Sequence, residues 1–102
     1  MRAVLVPVDG PPEIIDVEPG DIGPRVLGGW LEIVLLKGWP GEMVHAYIDE
    51  EGKLKGLPVN QLATDLAHVP GDVIAGPMVI LGSDGPEEAD VPEEVLAALG
   101  LV

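Results

Sequence analysis

Trp30-Leu31-Glu32-Ile33-Val34-Leu35-Leu36 is answered, after a turn through Gly38, Pro40 and Gly41, by Met43-Val44-His45-Ala46-Tyr47-Ile48-Asp49. The first run has Glu32 as its only polar residue and reads as a strand with both faces largely buried. The second alternates with period two: Val44, Ala46 and Ile48 on one face, His45, Tyr47 and Asp49 on the other. Two such runs joined by a Gly/Pro turn predict antiparallel pairing, and this pairing decides the fold class. Glu50-Glu51-Gly52-Lys53 then reads as a tight turn, with Gly52 suited to a left-handed conformation, and Leu54 to Leu57 as a further short strand.

The flanks extend the same pattern. Met1 to Val8, apolar but for Arg2, reads as a buried strand. Asp9-Gly10-Pro11-Pro12 is turn chemistry, and Glu13 to Val17 is a second β-rich run, so the two form a hairpin. Asp21 to Leu27 has room for one or two helical turns, closed by Gly28-Gly29, with Pro24 tolerated in the first turn. Val59, Leu62, Ala63, Leu66 and Ala67 form one apolar helix stripe, Asn60 is its natural N-cap, and Pro70-Gly71 stops it. Val73 to Ala75 and Met78 to Leu81 predict a last strand or bent pair, broken at Gly76-Pro77. Asp90 to Leu99 predicts a short helix with capping-box spacing between Asp90 and Glu93. The expectation is one α+β domain over residues 1–102. It has about five to seven short, mostly antiparallel strands and two to three short helices packed on one face.

Composition narrows the chemistry. A chain of 102 residues with 47% hydrophobic residues can bury a core, and with no Phe that core is aliphatic. The absence of cysteine removes disulfides, thiolate nucleophiles and cysteine-held zinc. The apolar start is too short for a signal peptide and no stretch approaches a membrane span, so the expectation is a cytoplasmic chain. A net charge of −13 argues against direct nucleic-acid binding or docking on anionic lipid; it reads first as solubility and permits a basic protein partner. All five basic residues (Arg2, Arg25, Lys37, Lys53, Lys55) precede Gly56. The eight carboxylates after it peak between Asp84 and Glu94.

Catalytic and metal constellations are thinly supplied. Ser83 and Thr64 are the only side-chain alcohols outside Tyr47; Ser83 reads as a turn residue between Gly82 and Asp84, and Thr64 as mid-helix. His45 and His68 lie in separate elements without metal-ligand spacing, so no metal is expected. Gly52-Lys53 lacks the rest of a phosphate loop, because Ala46 stands where its first Gly belongs and Leu54 replaces Ser/Thr. No cofactor is expected and no catalytic residue is assigned. The contact candidates are Glu51 and Lys53 in the turn, Asn60 at the helix start, and Glu87 and Glu88. The last two read as loop carboxylates that no helix end explains.

Several stretches together resemble one family. They are Ala3 to Pro7 with Asp9-Gly10, Val26 to Glu32, Ala46 to Lys53, Gly56 to Thr64, Gly76 to Ile80 and Val91 to Glu94. The chain resembles the small domain of unknown function numbered 3846, found in actinobacterial phages and mobile elements. It departs from it at Gly23-Pro24 and in its two Trp residues. The resemblance implies a phage accessory protein acting in the host cytoplasm, and brings no catalytic residues. The resulting expectation is a non-enzymatic binding module that modulates a basic host protein through an acidic surface. The alternative is a small-ligand or nucleotide binder using Lys53, Lys55, Arg25 or Asn60. An enzyme would have only carboxylate acid/base chemistry to draw on. Self-association is compatible with each reading.

Overall fold

Along the chain run β1 (Arg2–Val6), β2 (Glu13–Asp16), β3 (Leu31–Val34), β4 (Val44–Asp49), α1 (Gln61–Leu66), β5 (Met78–Asp84), β6 (Glu87–Ala89) and α2 (Glu93–Ala98). A 3-10 turn at Pro19–Asp21 leads into a π-helical segment, Ile22–Leu27, ahead of β3. The structure, a computed structural model, describes the backbone of residues 1–102 and every side chain but that of Arg25. Arg25 as a ligand contact therefore lies outside the described residues.

The strands form one antiparallel sheet in the order β2-β1-β5-β4-β3, and β6 pairs with the far end of β5. The expected α+β class holds. Strand β5 is the axis, and Met78, Val79, Ile80 and Leu81 are all fully buried. Alternation sends Met78 and Ile80 to one face with Val4, Val6 and Ala46, where Ala63 and Ala67 of the α1 region and Val95 and Leu96 of α2 cover them. Val79 and Leu81 go to the other face with Ala3, under Ile22 and Leu27. The twelve largest fully buried side chains are all Ile, Leu, Val or Met, so the core is aliphatic as composition demands. Six-residue helices are unstable alone, so this packing is what keeps them folded.

The structure departs from the sequence pattern at several points. Two helices share a face as expected, but the third helical segment, Ile22–Leu27, lies on the opposite one, because Val79 and Leu81 need a cover there. It ends at Gly28 with φ +79, the left-handed cap that glycine accepts. Trp30 to Leu36 is not buried on both faces: Ile33 is 60% exposed and Leu35 47%, since β3 is the sheet edge. Leu54 to Leu57 is a series of turns, not a strand, with Leu54 pointing into solvent. Val73 to Ala75 is not a strand either; Ala75 makes one isolated bridge to Val59. Glu87 and Glu88, read as loop, lie in β6. Gly85 at φ +61 followed by Pro86 supplies the two-residue turn that sends the chain back along β5. The last helix starts at Glu93 behind Pro92, and Asp90 instead accepts the Arg2 backbone N–H at 2.7 Å.

Asn60 does more than cap α1. Its Oδ1 accepts the Ala63 N–H at 3.0 Å, and its Nδ2 donates to Val6 O and Gly76 O, both at 3.0 Å. Its own N–H donates to Ile74 O at 2.7 Å. Thr64 Oγ1 donates to Asn60 O and accepts the Ile74 N–H. One fully buried amide thus joins the end of β1, the start of α1 and the strand-like approach to β5. Loss of a cap costs about 1 kcal/mol, and buried carbonyls left unpaired add about 1–3 kcal/mol. We expect Asn60→Ala to lower stability by about 2–4 kcal/mol in denaturant unfolding, against less than about 0.5 kcal/mol for exposed Gln61→Ala. Equal effects at the two positions would contradict the assignment.

Candidate functional site

The Ile22–Leu27 segment covers only one end of its sheet face. At the other end His45 and Tyr47, two apart on β4, and Ser83 on β5 point to the same side. β6 adds Glu88, directly opposite Ser83 in register. His45 Nδ1 and Ser83 Oγ are 2.5 Å apart, and His45 Nε2 lies 2.6 Å from Glu88 Oε2. The second contact is not a hydrogen bond, since that oxygen has no aligned donor. Tyr47 OH donates to the other carboxylate oxygen, Oε1. The His45 and Tyr47 rings meet edge to face at 5.2 Å between centroids.

These four side chains floor a shallow cleft of about 240 Å³, walled by Ile33, Leu35 and Gly41 on one side and Gly85 and Pro86 on the other. His45 and Glu88 are mostly buried, with side chains 12% and 21% exposed. Tyr47 is pushed up to about 12, first by burial, then by the hydrogen bond to Glu88 and that carboxylate's charge. The side chains are those of a Ser–His–Glu relay with a tyrosine on the carboxylate, but no hydrogen bond joins His45 to Glu88, so the relay is broken there. Its wide, open setting does not shield reacting groups from water.

The predicted contact residues divide. Glu87 and Glu88 belong to this cleft, Glu87 exposed and Glu88 half-buried. Glu51, Lys53 and Asn60 lie elsewhere. Glu51 is exposed in its turn, its N–H donating to Asp49 Oδ1 at 2.9 Å. Lys53 pairs with Asp72, and its hydrogen bond holds the Asp72 carboxyl below the usual carboxylate range. Lys55 pairs with buried Asp49 at 2.6 Å, and that hydrogen bond likewise draws Asp49 down against the opposing effect of burial. Asn60 spends its amide inside the fold. The lysines offered to phosphates by the nucleotide reading are thus occupied by carboxylates. Among the described residues, no group of three or more His, Asp or Glu is placed to hold a metal ion, and no helix is long and apolar enough to cross a membrane.

Ser83 reads from sequence as a turn residue, but the turn falls two residues later, at Gly85-Pro86. His45 and Tyr47 were legible as one face of a strand. Their link to Glu88 was not, because it depends on β6. The signal present was Asp84-Gly85-Pro86-Glu87, where glycine then proline fits a two-residue hairpin turn.

Tyr47 is the chain's one tyrosine, so its ionisation can be read directly by absorbance. The folded chain keeps that proton to higher pH than the unfolded chain, whose tyrosine ionises near 10.0. The stabilisation is therefore fully present below pH 10.0 and is lost as pH rises towards about 12. We expect Glu88→Gln to bring the Tyr47 midpoint down but not fully to the ordinary value, because burial remains. An unchanged midpoint would show that Glu88 does not hold the tyrosine.

Comparison with family models matches residues 1–100 to the family described as Domain of unknown function (DUF3846). No curated protein matches the chain, and no solved structure matches it. By that match across nearly its whole length, the chain belongs to the DUF3846 family.

Proposed function

We propose that this chain is a non-enzymatic binding module that engages a basic protein through the uncovered half of its sheet. The observation that carries the reading is the juxtaposition on that face: exposed Ile33 and Leu35 beside carboxylates of β6, in a chain of net charge −13. Apolar area gives affinity, and the surrounding negative field gives selection and rate. The Ser83–His45–Glu88 cluster serves this surface structurally, tying β6 to β5 and β4. Glu88 Oε2 lacks an aligned donor, and Oε1 is engaged by Tyr47, which suits a strut better than a charge relay. The family resemblance supports an accessory protein of a phage or mobile element, and the cysteine-free composition supports work in a reducing host cytoplasm.

Affinity capture from a host lysate at two salt concentrations, followed by mass spectrometry, tests the reading. We expect a basic host protein retained at low salt, with affinity falling about tenfold or more as screening shortens from about 10 Å to about 3 Å. Retention indifferent to salt, or no retained protein, contradicts it. The non-enzymatic part has its own check. A fluorophosphonate probe should leave Ser83 unlabelled, and labelling that disappears in His45→Ala would establish a nucleophilic serine instead.

A further inference from the structure

Strand β3 ends the sheet, and its outer edge is open. Glu50 N–H donates to Trp30 O at 2.9 Å, and in the same register Glu32 stands opposite Ile48 and Val34 opposite Ala46. In an antiparallel ladder, hydrogen-bonded pairs alternate with unbonded ones. The even-numbered residues of β3 therefore bond to β4, and the N–H and C=O of Leu31 and Ile33, with the N–H of Leu35, point outward. The chain closes this edge only from Leu35 O onward, where His68 N–H donates at 2.7 Å and Lys37 N–H donates to Leu66 O at 2.9 Å.

Natural edge strands are usually blunted by lysine, proline or a bulge. β3 has neither Lys nor Pro, and one charge, Glu32. Its side chains sort by face. Ile33 and Leu35 lie on the open face, 60% and 47% exposed. Glu32 lies on the other, in a groove with Glu50 and the Lys53–Asp72 pair, so its unneutralised charge is that of Glu32 and Glu50.

We propose that β3 receives an added strand from the partner, and that this strand alternates apolar and basic residues. Its backbone continues the ladder on Leu31 to Ile33, up to the point where His68 takes Leu35 O. Its apolar side chains lie over Ile33 and Leu35, and its Lys or Arg side chains stand beside Glu32 and Glu50. A second copy of this chain is a poor occupant, because it brings −13 against −13 and no cation on its own β3. The proposal rests on the binding-module reading and adds the mode of attachment and the sequence pattern recognised.

The test uses labelled hexapeptides and fluorescence anisotropy: alternating Lys-Val, the same composition in two blocks, and alternating Glu-Val. Alternating Lys-Val should bind at least about tenfold tighter than either control. Ile33→Pro should remove that binding while keeping the fold, because the Ile33 N–H is not used within the sheet. Should Ile33→Pro fail to fold, N-methylation of the peptide decides. Methyl groups on amides of one parity should abolish binding and on the other should spare it. Equal binding of alternating and block Lys-Val peptides overturns strand addition while leaving the acidic-surface reading intact. Absence of binding by any peptide, or a dimer dispersed by Ile33→Pro, overturns the proposal outright.

Discussion

The fold is governed by one strand that is apolar on both sides. Met78 to Leu81 are fully buried, so both faces of the sheet around β5 require a cover. The helical material is scarce: α1, α2 and Ile22–Leu27 have six residues each. Six residues of α-helix span about 9 Å. Five strands at about 4.8 Å spacing span about 20 Å. Two helices can cover one face; a single segment cannot cover the other. The uncovered end is floored by the polar cluster of His45, Ser83, Glu88 and Tyr47 and leaves Ile33 and Leu35 exposed beside it.

The acidity faces outward because an unpaired carboxylate is costly to bury. Arg2, Lys53 and Lys55 are each paired with a carboxylate, Glu93, Asp72 and Asp49. The Lys55–Asp49 pair fixes the turn after β4 against Gly28, and Asp49 is the one carboxylate drawn into the core. The remaining carboxylates lie mostly on the surface. Exposed pairs such as Lys53–Asp72 add little stability, so the field, not the ion pairs, is the consequence of this composition that bears on function.

Local signals were legible where local chemistry sets the structure. The alternation of Val44 to Asp49 gives the faces of β4, Asn60 reads as the cap it is, and the hairpin at the start of the chain follows from its turn residues. What could not be read were contacts between distant segments. Asn60 also holds Val6 and Gly76, and nothing near it in sequence says so. Glu87 and Glu88 looked like solvated loop because two adjacent carboxylates after a proline rarely signal a strand; their pairing to β5 comes from the Gly85-Pro86 turn. Gly82 shows the same non-local demand, since a Cβ there would sit 2.1 Å from Asp90 O where β6 leaves the sheet. The open edge of β3 was hidden because Trp30 to Leu36 reads as buried, and hydropathy does not reveal which strand is last.

The central claim is that β3 is an unpaired edge in the free chain, and amide hydrogen exchange resolved by residue addresses it most directly. The account predicts an alternation along one strand. The outward amide of Ile33 should exchange roughly 100-fold faster than those of Glu32 and Val34, which bond to β4. Protection of Ile33 equal to that of its neighbours would mean that the edge is already occupied, and would contradict the account.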